Sequence, residues 1–258
     1  MTYYRKGEMM NILVEHLNFS YEKGRNVLTD VNFSAEDGQS IGLIGANGAG
    51  KSTLLKILVG LNTGFEGKIM VGDILLKEKN LVEVRKRMGY VFQDSDSQLF
   101  MTTVEDDVAF APRNYGFSEN EVKKRTANAL QAAGISHLAS NPIYKLSGGE
   151  KKLAAIATVL SMSPDVILMD EPSAALDPKN RRNLIGILNS LPCLKIIASH
   201  DLDFVWDTCD RVLVMGKGTI AADGTPEEIL TDGNLLDLYG LELPLSMLSR
   251  HDSMRSYS

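Results

Sequence analysis

The stretch Gly45-Ala-Asn-Gly-Ala-Gly-Lys-Ser-Thr53 gathers glycines around one lysine and adjacent hydroxyls. It fills the pattern G-x-x-x-x-G-K-[ST] between a short apolar run, Ser40–Ile44, and a helix-spaced run, Lys51–Gly60. Glycine lets a backbone turn its N–H groups inward, so a loop of this kind cradles phosphate oxygens. A helix that begins near Lys51 aims the positive end of its dipole at the same anion. Lys51 would then reach the β- and γ-phosphates of a nucleotide, and the Ser52 hydroxyl would face Mg²⁺. Gly45, Asn47, Gly48, Ala49, Gly50, Lys51, Ser52 and Thr53 are the expected nucleotide-binding residues, with ATP and Mg²⁺ as ligand and cofactor.

Further along, Val166-Ile-Leu-Met-Asp170-Glu171 is an apolar strand that ends in two acids. The carboxyl ends of buried strands are where α/β sheets bind ligands. Asp170 would hold Mg²⁺, which leaves Glu171 to orient or deprotonate an attacking water. Paired acids after a strand also serve as turn residues or helix caps; the phosphate loop upstream favours the chemical reading. A third segment, Leu146-Ser-Gly-Gly-Glu150, has the form of a helix start. Ser147 is its N-cap, and Gly148 and Gly149 leave backbone N–H groups open, which makes a second anion site. Taken by itself it is an ordinary helix N-terminus.

The elements that must position these residues follow from patterning. Strands are expected at Asn11–Leu17, Val31–Ala35, Ser40–Ile44, Lys68–Val71, Met88–Phe92, Val166–Met169 and Lys195–Ala198. Arg211–Met215 and Thr219–Ala222 form a terminal hairpin. Helices are expected at Lys51–Gly60, Val104–Asn114, Ser118–Ala133, Ser147–Ser161, Pro178–Leu191 and Asp201–Cys209. The second of the two consecutive helices opens on Ser118-x-x-Glu121, a capping-box pattern, and stops at Gly134. Alternating strands and helices imply an α/β fold with a mostly parallel core sheet and an antiparallel β edge. The nearly all-helical stretch of about 93–147 reads as a helical subdomain inserted into a domain of residues 11–240. Residues 1–10 are a candidate disordered extension and 241–258 a C-terminal tail.

The order of these motifs resembles the ATP-binding subunits of ABC transporters, over nearly the whole chain after Met10. Gly45–Thr53 is similar to their Walker A motif, Leu146–Glu150 to their signature motif and Val166–Glu171 to Walker B. Shorter marks stand in the same order. Tyr21 sits where an aromatic residue stacks on adenine, and Gln93 where a glutamine contacts metal and water. Ser173-Ala-Ala-Leu-Asp177 resembles the D-loop, and His200 the switch histidine on the γ-phosphate. Singly, these would be an edge-strand aromatic, a loop residue and a surface histidine. The resemblance implies that such domains pair head to tail, with each ATP held between Walker A of one chain and the signature motif of the other. It assigns Glu171, His200 and Gln93 to catalysis, Ser52, Gln93 and Asp170 to the metal, and Tyr21, the phosphate loop, Ser147, Gly148, Gly149, Glu150 and Asp177 to nucleotide. Glu150 replaces the family's usual Gln. With Lys152 it is expected beside the anion site, tuning the affinity of a dimer.

The segment Gln93-Asp-Ser-Asp-Ser-Gln-Leu-Phe100, followed by Thr103-Val-Glu-Asp-Asp-Val108, is similar to the ATPases of energy-coupling-factor importers, including the cobalt and nickel type. The resemblance implies a second ATPase subunit (a homodimer or a close paralogue), a transmembrane coupling protein and a membrane protein that captures substrate. It places the chain at the cytoplasmic face of a membrane. Vitamin importers, for example of biotin, are the nearest alternative, then an ordinary ABC transporter. From a different class stand a soluble ABC ATPase acting on ribosomes or DNA, and a nucleotide kinase, which has no use for Leu146–Glu150.

Composition bounds these readings. The chain has 258 residues, 44% hydrophobic and 23% charged, and a net charge of −6, an ordinary globular balance. No basic stripe is visible, so no nucleic-acid partner is expected. Arg85-Lys86-Arg87 and Lys123-Lys124-Arg125 read as solvated helix faces. Cys193 and Cys209 have no metal or disulfide spacing and suit a reducing cytoplasm. No run of about 18 apolar residues suggests a membrane span, and the N-terminus lacks the apolar stretch of a signal peptide.

Overall fold

A computed structural model describes residues 10–22 and 24–248. The expected extension, apart from Met10, and the tail beyond residue 248 lie outside the described residues. Met10 itself is buried among strand side chains. In chain order the elements include β1 (Ile12–Ser20), β2 (Asn26–Ala35), β3 (Ser40–Ile44), α1 (Lys51–Leu58), β4 (Glu66–Val71), β5 (Ile74–Leu75), α2 (Leu81–Arg87) and β6 (Met88–Val91). Then come α3 (Val104–Asn114), α4 (Glu119–Ala132), α5 (Gly148–Leu160), β7 (Val166–Asp170), α6 (Pro178–Ser190) and β8 (Leu194–Ala198). The last are α7 (Leu202–Thr208), β9 (Arg211–Gly216), β10 (Thr219–Gly224), α8 (Pro226–Leu230) and α9 (Gly233–Leu238).

The strands form two sheets. A six-stranded sheet runs β10-β9-β3-β8-β7-β6, and a four-stranded sheet runs β2-β1-β4-β5. In the larger one β6, β7, β8, β3 and β9 are parallel, and β10 joins β9 as the expected antiparallel hairpin. The smaller sheet is antiparallel throughout. The fold is therefore α/β with a mostly parallel core and separate antiparallel strands.

The parallel strands are apolar without alternation because both faces are covered. Successive side chains still point to opposite faces. Ile167 and Met169 of β7 enter the core shared with α5 and α6, whereas Val166 and Leu168 enter the core shared with α1 and the antiparallel sheet. Helix α5 packs on α3 and α4, so the region between β6 and α5 leans on the helix that follows it. That region holds α3, α4 and short 3-10 turns at Ser95–Ser97, Ser136–Leu138 and Ile143–Lys145.

Several local expectations shift. Strand β2 begins at Asn26, earlier than its apolar pattern suggests, because it pairs with β1 from Ser20↔Asn26 onward. Helices α2 and α9 are short, and their patterns are too brief to stand out. Ser118 caps α4, but the Glu121 carboxylate turns to Arg125 at 2.9 Å, so the box there is only half made. Both halves form at Ser147 and Glu150 instead. Gly134 follows α4 at φ +71°, the left-handed stop its position predicts. The basic clusters are more than solvated faces. Arg85 donates to the Gly60 carbonyl at 2.7 Å, closing the end of α1, and the Arg125 guanidinium lies 4.2 Å from the centre of the Phe117 ring. Beyond α9, the backbone N–H groups of Leu245 and Ser246 donate to Asp203 on α7.

Candidate active site

The phosphate loop leaves β3 at Gly45 and enters α1 at Lys51. Gly45, Gly48 and Gly50 all hold φ in the left-handed half, at +148°, +80° and +109°. At Gly45 an added Cβ would collide with the Met215 carbonyl of β9. At Gly50 it would meet Leu28 Cδ2 at 2.7 Å. The loop is therefore built for glycine by conformation and by the neighbouring strands. A Gly45→Ala variant is expected to lose about 1–3 kcal/mol from backbone strain alone. That corresponds to a melting point lower by roughly 2–4 °C per kcal/mol. Thermal melts with and without ATP check this; an unchanged Tm with full ATP stabilisation would refute it.

A cleft of about 490 Å³ is lined by Val27, residues Asn47 to Thr53, Gln93, Glu171, Ala174 and His200. Lys51 is buried in its floor and donates to the carbonyls of Gly45 at 2.6 Å and Ala46 at 3.2 Å. Its ammonium also lies 3.3 Å from His200 Nε2. Burial pulls the Lys51 pKa down, opposed by the charges of Glu171 and Asp170. Ser52 donates its hydroxyl to Asp170 Oδ1 at 3.0 Å, so the first hard oxygen of α1 meets the last residue of β7.

Glu171 follows Asp170 with φ at +47°, a strained conformation for a residue with a Cβ. Its amide donates to the Ala198 carbonyl, and its carboxylate accepts the His200 N–H at 3.2 Å. Burial lifts its pKa above the ordinary carboxylate range, although His200 and Lys51 pull the other way. His200 Nε2 is 3.4 Å from Glu171 Oε1. One ring nitrogen can accept from Lys51 or donate to Glu171, not both, so its protonation selects the partner.

The structure brings Asn47–Thr53, Gln93, Glu171 and His200 together around one cleft, with Asp170 buried behind it on Ser52. Tyr21 stands beside it. It is 59% exposed, its ring packs edge-on against Phe19, and its hydroxyl lies 3.2 Å from Thr53 Oγ1. An open aromatic face next to the phosphate helix can receive a base.

Ser147, Gly148, Gly149, Glu150 and Asp177 lie outside the cleft lining. Ser147 caps α5, and the Glu150 carboxylate accepts from its N–H and its hydroxyl, each at 2.8 Å. Those bonds hold the Glu150 pKa low. Asp177 caps α6 through the amides of Lys179 and Asn180. Gly149 sits close against α6, where an added Cβ would come within 3.2 Å of Asn180 Nδ2.

Three groups near the cleft carry little sequence signal. Tyr90 of β6 donates its hydroxyl to Asp170 Oδ2 at 3.3 Å; burial and that carboxylate push the phenol's pKa well up. Arg181 on α6 grips Asp201 through two bonds, of 2.8 and 3.1 Å, and so ties α6 to the residue after His200. Lys152 is the third, and here the expectation fails. It does not sit beside the anion site but is buried, with its ammonium on the carbonyls of Phe92 and Gln93. Asp107, in the acidic run Glu105-Asp106-Asp107 of α3, also turns inward. It is buried and accepts the N–H groups of Phe100 and Met101. In both cases the side chain's direction depends on what packs against its helix.

Comparison with known proteins agrees with this geometry. The family model for the ABC transporter matches residues 28–174. A putative ABC transporter ATP-binding protein of Geobacter sulfurreducens is 48% identical over 91% of this chain and 94% of its own. The energy-coupling factor transporter ATP-binding protein EcfA of Carboxydothermus hydrogenoformans is 42% identical over 92% of this chain and 89% of its own. Among solved structures, cbiO1 from Clostridium perfringens, described as part of the ABC transporter complex cbiONQ, superposes with a TM-score of 0.79 at 37% identity. It covers 88% of this chain and 93% of that one. No described helix is long and apolar enough to cross a membrane. The chain belongs to the ABC transporter family, as an ATP-binding subunit whose ATP hydrolysis is coupled to transport.

Proposed function

We propose that this chain is one of two ATPase subunits that power an energy-coupling-factor importer from the cytoplasmic face of a membrane. The observation that carries this reading is the surface just after Gln93. Phe100 is 65% exposed and stacks edge-on against Phe110 at 4.7 Å. Asp106 lies one turn before Phe110 on α3, and Glu105 is exposed beside it. An aromatic pair rimmed by acids suits a basic, amphipathic helix of a transmembrane coupling protein. The relatives named as energy-coupling-factor ATPases support the same reading. A separate membrane protein captures the cargo; by resemblance we assign a cobalt or nickel ion.

In this reading ATP lies on the phosphate loop with its base against Tyr21. Lys51 and the glycine N–H groups hold the β- and γ-phosphates. Ser52, Asp170 and Gln93 would hold Mg²⁺: the donors are all oxygens, Ser52 and Asp170 already converge, and a hard cation that shares its shell with phosphates needs no more. When bound, the ion would offset charge on the transferring phosphoryl group. Glu171 takes a proton from the attacking water, which a raised pKa favours. His200 contacts the γ-phosphate. Ser147–Glu150 and Asp177, which lie outside this cleft, serve the nucleotide of a second chain paired head to tail. Closure of the pair excludes water and strengthens those contacts.

The test is co-purification from membranes. The wild-type chain is expected to bring down a coupling protein and a small substrate-capture membrane protein. Asp106→Lys with Phe100→Ala should lose both while the isolated chain keeps its ATPase rate. Full recovery of both partners by that variant would overturn the docking assignment, and recovery of no membrane protein by the wild type would overturn the importer reading.

A further inference from the structure

Helix α5, from Lys151 to Thr158, is bound to the loop that carries Gln93. Lys152 is 3% exposed, and its ammonium donates to the Phe92 carbonyl at 3.1 Å and the Gln93 carbonyl at 2.6 Å. Beside it Lys151 pairs with Asp96 at 2.6 Å. At the far end of the loop Gln98 donates to the Ala155 carbonyl at 2.8 Å and the Thr158 hydroxyl at 2.9 Å. The same side chain accepts the Phe92 N–H at 3.1 Å. Residues Phe92 to Gln98 are thus held at both ends by α5 rather than by β6, the strand they leave.

A lysine this deeply buried carries a desolvation cost that an apolar side chain of similar length would not. What the ammonium adds is a fixed place for two loop carbonyls, one of them that of Gln93. Ser147 caps the same helix, and Glu150, two residues before Lys152, closes its capping box. A movement of α5 therefore carries both the Ser147–Glu150 turn and the backbone of Gln93.

We propose that Lys152 is a positioning residue: it sets Gln93 in the cleft and couples its place to that of Ser147–Glu150 on the same helix. The inference rests on the assignment of Gln93 to the hydrolytic site. A Gln93→Ala variant, Lys152→Met and the double variant, all as full chains, test it through kcat, KM and ADP affinity. Lys152→Met is expected to lower kcat about tenfold with ADP affinity within about twofold, a split that loss of folding would not give. In the Gln93→Ala background the same change should cost less than about twofold, because its effect passes through Gln93. An equal loss in both backgrounds, or a wild-type rate for Lys152→Met, overturns the proposal. A wild-type rate for Gln93→Ala overturns it at its base, by removing the role of Gln93 itself. Should Lys152→Met melt below the assay temperature, the Lys151–Asp96 pair, whose acid is exposed, gives the same readout. Asp96→Ala is expected to lower kcat by about twofold, a loss absent in the Gln93→Ala background; the same loss in both refutes the coupling.

Discussion

Glu171→Gln is expected to slow ATP turnover by roughly 10²- to 10⁴-fold, the range that a positioned general base contributes. Nucleotide affinity should survive, because the phosphate loop is untouched, so an ATP-bound pair of chains should accumulate. Size-exclusion chromatography with ATP and a phosphate-release assay read the two effects together. Near-normal turnover would remove Glu171 from the role of base. The carboxyl's raised pKa adds a pH signature. The wild-type kcat should fall on the acid side with a midpoint above about 4.3, the ordinary glutamate value. The stability sign follows from the same shift. A folded-state pKa above the unfolded one contributes stability below about pH 4.3, and that stability is lost as pH rises through the folded value. Without nucleotide, Glu171→Gln should therefore melt higher than the wild type at neutral pH, with the gap closing near pH 4. A gap that widens toward acid would contradict the burial argument.

Lys51→Ala carries the second large effect, and it falls on binding. Hydrogen bonds to a charged group contribute about 1.5–3 kcal/mol, or roughly 10- to 150-fold in Kd for ATP. Turnover should drop with it, since the β- and γ-phosphates lose their counter-charge. The apo protein should keep its fold. The variant gives up the ammonium's bonds to Gly45 and Ala46, but it also gives up the cost of burying that charge. Isothermal titration with ATP and a thermal melt separate the two quantities. Unchanged ATP affinity in a folded variant would sink the phosphate-loop reading.

The legible parts of this chain were those whose cause is local. Gly48 needs a positive φ whatever surrounds it, with no neighbour near enough to forbid a Cβ. Ser147 caps the helix it precedes, as short polar residues before a helical run do. The fully buried strand β7 and its terminal acids could be read from an apolar run that stops at charge. Where local rules tied, the sequence misled. Ser118-x-x-Glu121 and Ser147-x-x-Glu150 share one pattern, yet only the second closes its box, because Arg125 draws Glu121 away.

By itself the sequence determined the phosphate loop, the order of its companion motifs and the α/β class, because spacing, glycine and apolar runs act over a few residues. The tertiary structure alone decided which of those residues meet. Ser52 reaches Asp170 across 118 positions of chain, and Lys51 reaches His200 across 149. It also decided that Asp107 and Lys152 turn inward while Glu105 and Phe100 stay exposed. The direction of a side chain on a helix is set by whatever packs against that helix, and here those partners come from distant parts of the chain.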